Sequence, residues 1–310
     1  MAHDVGMIEA RNLSKHYGKT VAVDDLSFEV LPGRVTGFLG PNGAGKTTTM
    51  RLILGLDKPN LGSVTINGRT YRHLQAPLRE VGALLDAKAM HGGRKAYYHL
   101  LLLAQSNRIP RSRVDEVLRI VGLEGVADRR AGGFSLGMGQ RLGIAAALLG
   151  DPGILMFDEP VNGLDPEGIA WVRQLMRALA SEGRTVFVSS HLMSEMAITA
   201  DHLIVVGKGK LIRDESVRDF VESSSHRAVR VRSPQMDRLT ELVVAAGGSI
   251  AGTDDGAVDV AGLDAAAIGE LAASNAVVLH ELTPKRASLE EAFMELTRDS
   301  VEFHATGSVA

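Results

Sequence analysis

The 310-residue chain contains no cysteine. That excludes disulfides and thiolate metal sites, and it fits a reducing compartment. No apolar run approaches the roughly 18 residues that cross a bilayer. The N-terminus, MAHDVGMIEA, lacks the basic-then-apolar pattern of a signal peptide. A cytoplasmic protein is therefore expected, and attachment to a membrane would need a partner. There is no excess of basic charge either. The formal net charge is −3, so nothing in the overall field calls for nucleic acid. Internal repeats, low-complexity tracts and sustained heptads are also missing.

What remains is an ordinary globular composition, 45% hydrophobic and 23% charged. The length suits one large domain plus a smaller one. Residues 7–39 alternate apolar and polar, with turns at YGKT (17–20) and LPG (31–33), and read as strands ending in RVTGFL. A helix is expected from Lys46 through TTTMRLILGL, then a strand in SVTINGR (63–69) with an Asn-Gly turn. From about 88 to 150 the pattern is helical: 97–105, 112–123 with Ser112 as N-cap, and 135–149. An α/β pattern then returns. ILMF (154–157) and TVFVSS (185–190) read as strands around a helix at 168–181. LIVV (203–206) and KLIR (210–213) form a hairpin.

The polar stretch 222–227 reads as a linker. Beyond it, 228–300 predicts a small α+β module in the order βαββαβα. Its elements are a strand at 228–231, a helix at 236–246, and strands near 249–250 and 257–260. A helix at 263–274, a strand at 276–282 and a helix at 288–298 complete it. Ser288 and Glu291 form a capping box for the last helix. Residues 301–310 read as a loose tail.

Four segments carry chemistry. GPNGAGKT (40–47) matches G-x-x-x-x-G-K-[ST] between a predicted strand and a predicted helix. Glycines let backbone N–H groups curl round a phosphate, and the helix N-terminus adds partial positive charge. Lys46 can reach the β- and γ-phosphates, and the Thr47 hydroxyl is a ligand for Mg²⁺. In ILMFDEP (154–160) an apolar strand ends in two carboxylates. Asp158 is placed for the Mg²⁺ shell and Glu159 to polarise an attacking water. His191 follows TVFVSS directly, again at a strand's carboxyl end, where it could bond a γ-phosphate oxygen and hold that water. FSLGMGQR (134–141), after the AGG turn, has the form of a helix N-terminus that meets an anion.

Together these residues resemble the ATP-binding subunit of ABC transporters. The order is that family's order: P-loop at 40–47, signature region at 134–138, Walker B at 154–159, D-loop GLD at 163–165 and switch histidine at 191. The likeness covers roughly residues 7–220. The run from Phe134 to Gly168 and the tail LTPKRASLEEAFMELT (282–297) look more narrowly like the daunorubicin- and bacitracin-type antibiotic exporter branch. The resemblance implies a P-loop NTPase cassette over 1–221: a mixed α/β sheet core, an antiparallel β subdomain, and a helical subdomain at about 88–150. A C-terminal α+β accessory domain follows.

It also implies residue roles. Tyr17 would stack on adenine. Gly40, Pro41, Asn42, Gly43, Ala44, Gly45, Lys46, Thr47 and Thr48 would hold the phosphates of ATP, with Mg²⁺ on Thr47 and Asp158. Glu159 would be the catalytic base, with His191 beside it. Ser135, Leu136, Gly137 and Met138 would complete the site of a second subunit, and Asp165 would couple the two. The partners would be a second cassette, identical or not, and a separate transmembrane permease docked near 86–110. The chain would then sit at the cytoplasmic face of the membrane.

Two departures stand out. The common signature L-S-G-G-Q is here Phe134-Ser135-Leu136-Gly137-Met138, although any residue except Pro still supplies a backbone N–H. VGALLD (81–86) ends in Asp86 where the family usually has glutamine. A carboxylate can bind Mg²⁺, but it cannot donate a hydrogen bond unless protonated. Two other readings stay open: a soluble ABC-type ATPase outside transport, and a nucleotide-dependent regulator with weak turnover. The C-terminal module could brace a dimer, regulate it, or only stabilise.

Overall fold

The computed structural model describes residues 6–87, 89–223, 228–254, 256–285, 289, 290 and 293. The chain divides into two compact units, one reaching Ser216 and the other spanning Val217–Leu296.

The first unit opens with β1 (Ile8–Tyr17) and β2 (Thr20–Val30), which pair antiparallel. The chain then enters β3 (Val35–Leu39), the P-loop and α1 (Lys46–Ile53). Strand β4 (Leu61–Ile66) pairs antiparallel with β1. It ends in the expected Asn-Gly turn, with Asn67 at φ 52° and Gly68 at φ 73°. Both central residues need positive φ in such a hairpin, which is why this dipeptide works there. Strands β2-β1-β4 form a three-stranded sheet.

Short α2 (Pro77–Glu80) leads into β5 (Val81–Leu84). The helical stretch is α3 (Ala96–Ser106), α4 (Arg111–Ile120) and α5 (Leu136–Leu148). Ser112 is not the N-cap of α4; Pro110 is, in extended geometry. With φ preset by its ring and no N–H to satisfy, Pro110 ends the preceding loop two residues earlier than the serine would. The chain continues through β6 (Ile154–Asp158), α6 (Pro166–Ser181), β7 (Thr185–Ser190), α7 (Met193–Thr199), β8 (His202–Gly207) and β9 (Lys210–Ser216).

These strands build a second sheet in the order β5-β6-β7-β3-β8-β9. The first five run parallel and β9 closes the edge antiparallel. Every residue of β3, β6 and β7 is buried. A parallel strand covered on both faces needs a continuous apolar run, and VTGFL, ILMFD and TVFVSS supply it. Phe28, Phe38 and Phe187 meet with ring centroids 5.1–5.9 Å apart, joining the two sheets. The register decides where chemistry can occur. Asp158 lies opposite Ser189 and Leu39 opposite Ser190. The carboxyl ends of three adjacent strands therefore finish at one edge.

The second unit comprises α8 (Val217–Ser223), β10 (Ala228–Arg232), α9 (Met236–Ala245), β11 (Ser249–Asp254), β12 (Ala257–Ala261), α10 (Ala265–Ser274) and β13 (Glu281–Lys285). Its sheet runs β11-β12-β10-β13 around a core of Val229, Val231, Leu239, Val243, Val260 and Ile268. The strand expected at 276–282 starts only at Glu281. Ala276 has φ 52° and the Val277 N–H bonds back to the Ala272 carbonyl, so residues 276–280 close off α10. Pairing with β10 begins at Arg232↔Glu281 and carries Pro284 on an edge strand, where a missing N–H is tolerated. The Ser288–Glu291 capping box and the 301–310 tail lie outside the described residues, as does most of the 288–298 helix.

Candidate functional site

The P-loop leaves β3 and turns into α1 through Gly43 at φ 84° and Gly45 at φ 96°. Gly45 is the helix N-cap, and a Cβ there would lie 2.3 Å from the Ala22 carbonyl oxygen. At Gly40 a Cβ would lie 2.5 Å from the Val206 carbonyl oxygen. The cradle therefore needs glycine for space as well as for backbone angle. The N–H groups of Lys46, Thr47 and Thr48 belong to the first turn of α1 and have no intrahelical acceptor. They open on a cavity of about 250 Å³ lined by Ala22, residues 42–48, Asp158 and Glu159.

Lys46 is only 8% exposed. Its ammonium donates to the Gly40 carbonyl at 2.6 Å and the Pro41 carbonyl at 3.3 Å. Burial pushes its pKa down, and the nearby charges of Glu159 and Asp158 push it back up.

Asp158 ends β6. The Thr47 hydroxyl donates to its Oδ2 at 2.7 Å, and the Ser189 hydroxyl donates to Oδ1. Glu159 follows at φ 50°, in the left-handed region that non-glycine residues rarely occupy. Its N–H donates to the Ser189 hydroxyl at 3.0 Å. Its Oε2 lies 2.7 Å from His191 Nδ1. Ser189 thus organises both acids. Its only sequence signal was a polar residue at the end of an apolar strand.

The structure brings together the P-loop, Asp158, Glu159 and His191. Asp86 emerges, exposed, two residues past the end of β5, whose neighbour is β6. Tyr17 ends β1 and is 46% exposed. Its hydroxyl donates to Asp57 Oδ2 at 2.8 Å, and Lys15 Nζ sits 4.9 Å from its ring centroid. Arg51 Nε donates to the same carboxylate oxygen at 2.7 Å, holding the Asp57 pKa below its ordinary value.

The signature region stands apart. Ser135 caps α5, accepting from the Met138 N–H at 3.2 Å. That uses one lone pair and leaves the hydroxyl hydrogen to donate. Ser135 and Leu136 line a separate cavity of about 360 Å³ with Ala87, Met90, Gly92, Gly132, Phe134 and Gly139. It shares no residue with the P-loop cavity. Asp165 caps α6, accepting from the Gly168 N–H at 2.9 Å.

A family model described as ABC transporter matches residues 23–162. An uncharacterised ABC transporter ATP-binding protein of Bacillus subtilis is 34% identical over 308 residues, covering 96% of this chain and 97% of the relative. The chain belongs to the ATP-binding subunits of ABC transporters. Among its relatives, a bacitracin transport ATP-binding protein of Bacillus licheniformis is 40% identical over 244 residues, covering 74% of this subunit and 80% of that protein. A lantibiotic transport ATP-binding protein of Streptococcus pyogenes is 35% identical over 209 residues, covering 67% and 90%. A solved dimeric cassette in a post-hydrolysis state, bound to ADP and Pi, superposes with a TM-score of 0.62 at 25% identity. That match covers 68% of this subunit and 99% of the cassette. A domain model of unknown function matches residues 227–290, inside the second unit. The subunit is an ABC-class ATPase. No helix among the described residues is long and apolar enough to cross a membrane.

Proposed function

We propose that this ATPase powers export of a drug, antibiotic or lipid-like compound through a separate membrane permease. The observation that carries this is the 40% identity to a bacitracin transport ATP-binding protein over 80% of its length. Two features weigh against a weakly hydrolysing regulator. The P-loop, Asp158, Glu159 and His191 are all present, and Glu159 is already hydrogen-bonded to His191.

In this reading Lys46 and the N–H groups of residues 42–48 bind the phosphates of ATP, and the Tyr17 ring takes the adenine. Mg²⁺ would be held by Thr47 and Asp158, with Asp86 as a third oxygen donor near that edge. Bound there, it would neutralise charge developing on the phosphates. Among the described residues no cluster of three or more acidic or histidine side chains forms a self-sufficient metal cage. That fits an ion that takes one or two carboxylates and completes its shell with phosphate and water. Glu159 accepts the proton of the attacking water, and His191 fixes the carboxylate's orientation.

Ser135 and the residues after it face a different cavity from the P-loop. A second cassette supplying its signature segment would complete each site, with Asp165 at the junction. ATP that binds between the two cassettes closes them by differential affinity. A permease docked near 86–110 receives the motion, which places the subunit at the cytoplasmic face of the membrane.

The test has two parts. Purified subunit should hydrolyse ATP only with Mg²⁺. Co-expressed with a permease of about six predicted spans from the neighbouring genes, it should co-purify and raise resistance to a peptide antibiotic. A folded, active subunit that binds no such permease would refute the export reading.

A further inference from the structure

The hydrolytic carboxylate sits on a backbone in an unfavourable conformation, and the structure shows what keeps it there. Glu159, at φ 50°, begins a tight turn in which the Asn162 N–H donates to the Glu159 carbonyl at 3.2 Å. On the amino side, its N–H is taken by Ser189. On the carbonyl side, Gln140 Nε2 donates to the Glu159 carbonyl at 3.3 Å and to the Asn162 carbonyl at 3.4 Å. One side-chain amide therefore bridges both ends of the turn. Gln140 is 5% exposed, and its Oε1 is buried without a hydrogen-bond partner.

That orphan matters. A glutamine kept only for packing would do better as an apolar residue of the same length, since a buried, unpartnered acceptor is a net cost. Gln140 also lies on α5, one and a half turns after Ser135. The start of that helix touches the same loop: a Cβ on Gly163 would strike Leu136, and one on Gly137 would meet Leu164 at 3.2 Å.

We propose that Gln140 is a positioning residue for Glu159: its amide locks the 159–162 turn and so fixes the carboxylate against His191. This rests on Glu159 acting as the base.

The test compares Gln140→Met, of similar length but without donors, and Gln140→His, which restores one N–H donor, with wild type and Glu159→Gln. Gln140→Met should lower kcat about tenfold or more, since misplacing a reacting group by about 1 Å can cost on the order of a hundredfold. KM for ATP should stay within about twofold, because no P-loop contact changes. The melting temperature should change little, since loss of the orphan acceptor offsets loss of the two long donations to the Glu159 and Asn162 carbonyls. Gln140→His should recover much of kcat. If Glu159→Gln is inactive while Gln140→Met keeps wild-type kcat, the positioning role is overturned and the base reading survives. An active Glu159→Gln removes the base and the proposal with it. Loss of kcat together with loss of the folded state in both Gln140 variants overturns the proposal in favour of plain packing.

Discussion

Gly45→Ala tests the cradle most directly. Two costs can be read from the structure. Gly45 has φ +96°, and placing an L side chain in the left-handed region costs about 1–2 kcal/mol. The new Cβ would also lie 2.3 Å from the Ala22 backbone oxygen, against ordinary contact at 3.4 Å or more. Loop and strand β2 must then part by about 1 Å, an overpacking cost of about 1–3 kcal/mol. The sum, about 2–5 kcal/mol, corresponds to a melting temperature lowered by roughly 4–20 °C for a unit of this size. Gly33→Ala is the control. Its φ is +73°, but a Cβ there meets nothing within 4 Å, so it carries only the backbone cost. Thermal melts of the two variants isolate the steric part. Equilibrium ATP binding then reads the loop's displacement, which should weaken affinity in Gly45→Ala and not in Gly33→Ala. If Gly45→Ala melts like Gly33→Ala and binds ATP as wild type does, the claim that backbone approach to Ala22 shapes the site is wrong.

Other perturbations separate the remaining roles. Glu159→Gln should lower hydrolysis by about 10²–10⁴-fold while ATP binding survives and dimers accumulate on a sizing column; wild-type turnover would remove Glu159 from the base role. Tyr17→Ala should raise KM for ATP about tenfold, whereas Tyr17→Phe, which loses only the Asp57 bond, should raise it a few-fold at most. Equal effects would mean that the hydroxyl, not the ring, does the work. His99 gives a pH signature. Burial, then Arg94, lowers its pKa in the fold, and its Nδ1 is buried without a partner. The unfolded chain therefore takes up a proton, below about pH 6.5, that the folded chain resists. Stability should fall as pH drops through that value, and His99→Gln should make the acid limb of a melting-temperature-against-pH curve shallower. Parallel limbs would show that His99 carries none of it.

Much of the site was legible because its code is local. The P-loop is one contiguous run whose glycines answer a backbone demand. The acids and His191 announce themselves as polar residues ending buried apolar strands. A parallel sheet puts those carboxyl ends at one edge whatever the strand order, so the grouping survived ignorance of the order β5-β6-β7-β3-β8-β9. What was not legible depends on contacts between distant segments. The four-residue strand β5 carries too short a pattern to be read, and it is a strand because β6 pairs with it. The Tyr17–Asp57 bond joins residues 40 apart. Strand β13 slid past its expected start because the register with β10, not the apolar run AVVLHEL, sets where pairing begins.

The signature helix shows how the two kinds of information meet. Judged by side chains, LGMGQRLGIAAAL looks like a weakened motif followed by an apolar helix. Ser135 works here as an N-cap, so one hydroxyl both starts the helix and keeps a hydrogen to donate. Of the substituted positions, Leu136 still presents a backbone N–H in the same first turn, while the Met138 N–H is taken by the Ser135 hydroxyl. Leu136 adds a contact that glycine could not make. It fills the space over Gly163, so the first turn of α5 rests on the loop that leaves Glu159. Gln140 was visible all along as a polar residue inside a buried apolar helix. Its meaning depended on knowing that Glu159 and Asn162 present two carbonyls to it. In this chain the altered signature and the turn that carries Glu159 are therefore parts of one packed joint. A substitution in the 135–140 segment should be judged by what it does to the turn at 159–162 as much as by the motif it departs from.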